Sequence, residues 1–202
     1  MRPGFFVPKK DLSKDLFAAC PPLLRSGATA VGIVMRQLVA LLALAFAIPV
    51  MAAGTAPHVR AQSFDQLAKP LPLPYDEKAD AMAAVDKARA KARAGHKLLL
   101  IDLGGNWCLD CRILAGTMDL PEMRAFMSRH FELVTVDIGR FDKNLAVPAR
   151  YGITQRLEGV PSVLVVDPRS DKLINAGRIA ALADARSMSP QALADWLAQW
   201  AR

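Results

Sequence analysis

The first pattern along the chain is Leu38 to Ala53 (LVALLALAFAIPVMAA), a nearly unbroken apolar run that carries no charge. About 16 residues falls short of the about 20 that a bilayer-spanning helix needs, while a positive start at Met35-Arg36-Gln37 and a small-residue end match a secretory signal. Residues 35–53 are therefore expected to be a signal peptide, cut after Ala52 or Ala53. The competing readings are an uncleaved anchor and a buried core helix. Residues 1–34 hold Pro, Gly, mixed charges and Cys20, unlike a short positive leader, so Met35 is expected as the start and 1–34 as a non-native or unstructured extension. Signal and anchor alike put the rest of the chain outside the cytosol. A leader of this type on a short domain points to a bacterial periplasm.

After the leader the pattern changes. Residues 54–75 are polar with Pro57, Pro70, Pro72 and Pro74, the composition of an extended linker or early wrap. Asp76 is a candidate N-cap for an Ala-rich helix running to Ala94, with Gly95 as its C-cap. Lys97 to Leu103 (KLLLIDL) reads as a buried strand bounded by Gly104-Gly105. Arg112 to Met118 reads as helical, and Pro121 suits the first position of a further helix to His130. Glu132 to Ile138 is a second strand, Val147 to Tyr151 a short helical piece, and Pro161 to Val166 a third strand. A turn at 167–171 leads to Lys172–Ala176 as a hairpin partner. Ser189-Pro190 starts a last helix with Leu193, Trp196, Leu197 and Trp200 on one face. This order predicts one α/β domain over 76–202, a sandwich of strands and helices.

Charge changes the picture less than its total suggests. The 202 residues carry 26 Lys+Arg and 19 Asp+Glu, a net +7. More than half of that surplus lies before Gly54, and the alternation Lys87, Arg89, Lys91, Arg93 reads as one wet helix face. A nucleic-acid partner is therefore not expected. Of three cysteines, Cys20 lies in the leader and Cys108 and Cys111 form one C-x-x-C, so a multi-bridge disulfide framework is excluded.

The C-x-x-C carries the chemistry. At a strand-to-helix junction, the first sulfur of such a pair faces free backbone N–H groups and the positive end of the helix dipole, which stabilises a thiolate. Cys108 is the expected nucleophile, and Cys111, one turn on and less exposed, the expected resolving thiol. A zinc site would need about four ligands, and His58, His96 and His130 show no paired spacing. A structural disulfide closing so small a ring adds little loop entropy. Both remain as alternatives.

With these motifs in register the sequence resembles the thioredoxin superfamily, from about Ala79 to Arg202. Asp102, six positions before Cys108, matches the family's buried acid; Trp107 matches the aromatic before the first cysteine; Tyr151-Gly152-Ile153 and Gly159-Val160-Pro161-Ser162 match the segment of the cis-proline loop. The resemblance implies a thioredoxin-like fold with a central mixed sheet flanked by helices, a client strand held by Val160 and Pro161, and a proton acceptor at Asp102 for Cys111. The segment Gly105 to Arg112 with Thr117 is most similar to periplasmic thioredoxin-like proteins, and the C-terminal domain of the membrane thiol:disulfide interchange reductase is the nearest mechanistic comparison. The sequence departs from thioredoxin at Leu109-Asp110, which replaces Gly-Pro, and at Thr135, which falls where thioredoxin keeps a lysine beside its acid. Asp110 is expected to disfavour a nearby thiolate and Arg112 to oppose that effect. A reductase is favoured over an oxidase.

Plainer readings stand beside these. Asp102 could cap a strand end in water, since charged side chains are rarely buried without partners. Trp107 could be core rather than a surface for client backbone. Trp196, Trp200, Phe126 and Phe131 are expected in the core, His96 and His130 exposed, and Met118, Met123 and Met127 as helix packing rather than a copper site.

The expected function is thus a periplasmic protein-disulfide reductase without cofactor or metal. It would act as a monomer on client proteins with disulfides. No NADPH-binding Gly-rich fingerprint is present, so a membrane reductase is the expected electron donor. The alternative is a thioredoxin-fold binding module or copper chaperone using the same two sulfurs. An isomerase is disfavoured because no dimerisation domain is visible.

Overall fold

The computed structural model describes residues 54–201. The expected signal peptide, the extension before it and Cys20 lie outside the described residues. Four strands form one sheet: β1 (Leu98–Gly104), β2 (Phe131–Asp137), β3 (Ser162–Asp167) and β4 (Lys172–Leu173), in the order β2-β1-β3-β4. β1 runs parallel to β2 and antiparallel to β3, and β4 closes antiparallel on β3. The mixed sheet with helices on both faces is the thioredoxin-like α/β fold that the resemblance implies. Every residue of β1 is buried, which is why KLLLIDL reads as a continuous apolar run instead of an alternation.

The strand period of two divides the core. Leu98, Leu100, Val163 and Val165 pack with Leu114 and Met118 of α2 (Leu109–Met118), Met123, Phe126 and Met127 of α3 (Pro121–His130), and Leu193, Trp196 and Leu197 of α5 (Pro190–Ala198). Leu99, Ile101, Leu103, Leu164 and Val166 pack with Val85, Ala88 and Ala92 of α1 (Ala81–Ala94) and with Val147 of α4 (Ala146–Arg150). The three methionines are core, as their helical spacing predicts. His130 is half-buried against Phe126, at 4.7 Å between ring centroids, rather than exposed.

Two local expectations are corrected, and a third is decided between its two alternatives. The cap of α1 is Asp80, whose side chain accepts from the Ala83 amide at 3.0 Å; Asp76 instead accepts from Lys78 N–H and forms a separate turn. The hairpin partner shrinks to Lys172–Leu173, because the buried Asn175 side chain replaces the ladder by accepting from Val165 N–H and donating to Val163 C=O. Residues 54–75 are no free tether. Gly54 N–H donates to Ala201 C=O, Val59 N–H to Gln191 Oε1, and Val59, Leu67, Leu71 and Tyr75 are buried. The prolines keep this wrap extended while every few residues an apolar side chain enters the core.

Candidate active site

Cys108 is the N-cap of α2. Its backbone is extended, and its sulfur accepts the Cys111 amide at 3.2 Å, the hydrogen bond a capping side chain makes. The sequence folds this way locally because Gly104-Gly105-Asn106 ends the strand and Leu109 onward is helical. Cys108 and Cys111 form a disulfide with Cα atoms 5.3 Å apart. Cys111 is fully buried, and Cys108 is 5% exposed between the exposed Trp107 and Leu109. A sulfur that receives a backbone N–H at a helix start is stabilised as a thiolate, and the sulfur one turn on is placed to close the ring.

Val160 and Pro161 stand across from the pair. The peptide bond between them is cis, and the Val160 carbonyl oxygen is 3.4 Å from Cys108 Sγ. Trp107 is not core: it is 42% exposed, its indole N–H donates to Gly139 C=O at 2.8 Å, and the Arg140 guanidinium lies 4.2 Å from its ring centre. These three expected client-contact residues therefore surround one sulfur.

Asp102 is completely buried, so the reading of a wet strand end is overturned. It shares a sheet face with its register partners Thr135 and Val163. The Tyr75 hydroxyl donates to its Oδ2 at 3.0 Å, whereas Oδ1 has no partner. Burial pushes the carboxyl up to about 7, against which the Tyr75 hydrogen bond pulls it down. Burial, together with the neighbouring carboxylate, holds Tyr75 protonated. Thr135 does not pair with the acid; its hydroxyl donates to Pro74 C=O at 2.7 Å.

Charges around the dipeptide are also arranged differently from expectation. Asp110 is buried and paired with Arg186, whose backbone N–H and Nε donate to Oδ1 at 2.9 and 3.0 Å while Nη2 donates to Oδ2. Burial alone would raise this carboxyl, but the bonds from Arg186 outweigh it and hold it below the ordinary range. Arg112 forms no ion pair with Asp110. Its guanidinium donates to the Leu71 and Pro72 carbonyls and so clamps the wrap.

Sequence reasoning missed Tyr75 and Arg186. A signal for Tyr75 existed: a buried acid without a lysine needs some donor, and a tyrosine among prolines has a polar end that must find a partner when buried. No local signal pointed to Arg186, which lies 76 residues from Asp110. Among the described residues no group of three or more His, Cys, Asp or Glu is placed to hold a metal ion.

A thioredoxin-like family model matches residues 80–168. The solved disulphide isomerase from Xylella fastidiosa Temecula1 is 41% identical, over 63% of this chain and 96% of that one, with a TM-score of 0.58. The chain belongs to the thioredoxin-like family. The oxidised C-terminal domain of DsbD from Neisseria meningitidis is 26% identical over 45% of this chain and 77% of that one, with a TM-score of 0.34. No match is found among the curated proteins. In this thioredoxin-like domain the fold, the family and the Cys-x-x-Cys pair together support a thiol–disulfide oxidoreductase. The family match begins at residue 80, after the wrap that delivers Tyr75.

Proposed function

We propose that the protein is a periplasmic protein-disulfide reductase. The observation that carries this reading is Cys108 Sγ, held by the Cys111 amide at a helix start and facing the Val160 carbonyl, between the exposed side chains of Trp107 and Leu109. Cys108 thiolate attacks a client disulfide, forming a Cys108–client bond and releasing one client thiolate. Cys111 gives its proton to Asp102 and attacks Cys108, so the intramolecular bond forms, the second client sulfur leaves, and two electrons have passed to the client. Trp107, Val160 and Pro161 hold the client strand. The apolar run Leu38–Ala53 supports export, and a membrane reductase is the proposed source of electrons.

Cys111→Ser tests the reading. With resolution blocked, Cys108 is expected to accumulate mixed disulfides with client proteins, visible on non-reducing gels and reversed by dithiothreitol. No adduct, with copper retained stoichiometrically by the wild type, would establish the metal-binding alternative instead. The reduction potential gives the direction: about −230 mV or lower fits a reductase, and about −120 mV an oxidant. The name of the Xylella protein raises a second reading, an isomerase. Recovery of native pairing from a scrambled substrate, without net reduction, would favour it.

A further inference from the structure

We infer that Tyr75 is a positioning residue of the redox site: its hydroxyl ties down Oδ2 of Asp102 and leaves Oδ1 as the one open acceptor for the Cys111 proton. This rests on the oxidoreductase reading and adds to it a residue from outside the family match.

Four observations converge on Tyr75. Its hydroxyl is the hydrogen-bond partner of a fully buried carboxylate whose other oxygen has none. Its backbone is fixed from both sides by the Asn106 side chain, which accepts from Tyr75 N–H at 3.1 Å and donates to Tyr75 C=O at 2.8 Å. Asn106 immediately precedes Trp107 and Cys108, so the active-site loop itself holds the tyrosine. Arg112 and Thr135 fix the preceding carbonyls of Leu71, Pro72 and Pro74. Finally, a Cβ at Gly104 would collide with both the Tyr75 hydroxyl and Cys111 Sγ. The resolving sulfur and the donor to the acid thus flank one glycine, two residues along the strand from Asp102.

The chemistry follows from the kind of donor. A cation beside Asp102 would stabilise the carboxylate strongly and make it a poor base. A phenol that stays protonated gives a weaker, neutral hydrogen bond, enough to orient the group while leaving it able to take a proton near neutral pH. Around this carboxylate, the wrap contributes Tyr75, β2 contributes Thr135 and β3 the apolar Val163, while Cys111 of α2 meets the Tyr75 hydroxyl at Gly104. The end of β2 contributes Asp137, which acts on Tyr75 and is itself paired with Lys143. No described Lys or Arg forms an ion pair with Asp102. In the resolving step the Cys111 S–H proton passes to Oδ1, the Cys111–Cys108 bond forms, and the client leaves with the electron pair of the bond it had to Cys108.

The test is a carboxyl-carbon NMR titration of Asp102 in the oxidised full chain, assigned by Asp102→Asn. The wild-type midpoint is expected near 7. Tyr75→Phe, which removes a hydrogen bond to the charged form, should move it up by about one pH unit and shift the pH profile of the resolving step equally. In an Asp102→Asn background Tyr75→Phe should have no further effect on resolution. An unmoved midpoint, or equal slowing in the Asn background, would overturn the inference, since a merely structural role predicts either. If Tyr75→Phe does not fold, replacement of both tyrosines by 3-fluorotyrosine is the second measurement. Its more acidic phenol donates more strongly and must lower the midpoint; no change would again overturn the inference. Failure of the wild type to reduce protein disulfides would sink the proposed function, yet leave the titration able to decide the role of Tyr75.

Discussion

Two carboxylates lie buried beside the redox pair, Asp102 on β1 and Asp110 in the first turn of α2, and their protonation goes in opposite directions. Both have lost solvent. Asp102 receives one hydrogen bond from a neutral phenol and is pushed up to about 7; Asp110 receives a forked guanidinium and a backbone N–H, and is held below its ordinary range. Burial alone therefore does not decide the charge of a carboxylate. The partner does, because desolvation is offset only where charged or multiple donors replace the lost water. One site is left able to exchange a proton near neutrality, and the other is fixed as an ion pair.

The largest test of this contrast is stability against pH. Asp102 has a folded value raised above the unfolded one, so the folded state binds the extra proton, and stability falls as pH rises from about 4 through about 7. In the oxidised protein, denaturant unfolding should show about 3 kcal/mol less stability at about pH 8 than at about pH 5 from this group. Asp102→Asn should remove that slope and slow resolution about 100-fold. A slope unchanged in the variant would mean that Asp102 is not the group responsible. Asp110 has the opposite sign: its contribution is present above the unfolded value and is lost as pH falls through the lowered folded one.

A smaller effect is expected at Gly104. Ala at this position must displace both the Tyr75 hydroxyl and Cys111 Sγ, so Gly104→Ala should cost about 2 kcal/mol and uncouple the acid from the resolving thiol. A variant of unchanged stability and pH profile would show that the two atoms do not need this glycine.

The smallest effects belong to the ion pair, and their signs are the test. Asp110→Asn leaves the Arg186 cation near the pair and should raise the reduction potential; Arg186→Ala unmasks the carboxylate and should lower it, each by about 15 mV, about threefold in the equilibrium with glutathione. Shifts of the same sign would show that Asp110 and Arg186 do not act on the thiolate through their charge.

Much of this site was legible in the chain. Cys108 and Cys111 follow from a C-x-x-C at a strand end, which carries its geometry locally, whereas the roles of Trp107, Val160 and Pro161 come from the resemblance to the thioredoxin superfamily. Asp102 was named, but its burial was left open, since an acid in an apolar strand is compatible with a wet end or a buried base until its neighbours are known. Residues 54–75 stay open between linker and wrap for a related reason. Prolines signal an extended backbone, and nothing in residues 54–75 says whether an extended backbone lies free or against a core.

Element order and the place of the redox pair are written in the chain, because hydrophobic period, caps and turn residues act over a few neighbouring positions. Which partner each buried charge has depends on the folded arrangement. Tyr75 meets Asp102 across 27 residues and Arg186 meets Asp110 across 76, contacts that exist only once the wrap and the segment before α5 have closed on the sheet. Charge in a protein interior is set by such distant donors, and a pattern of neighbours along the chain does not contain them.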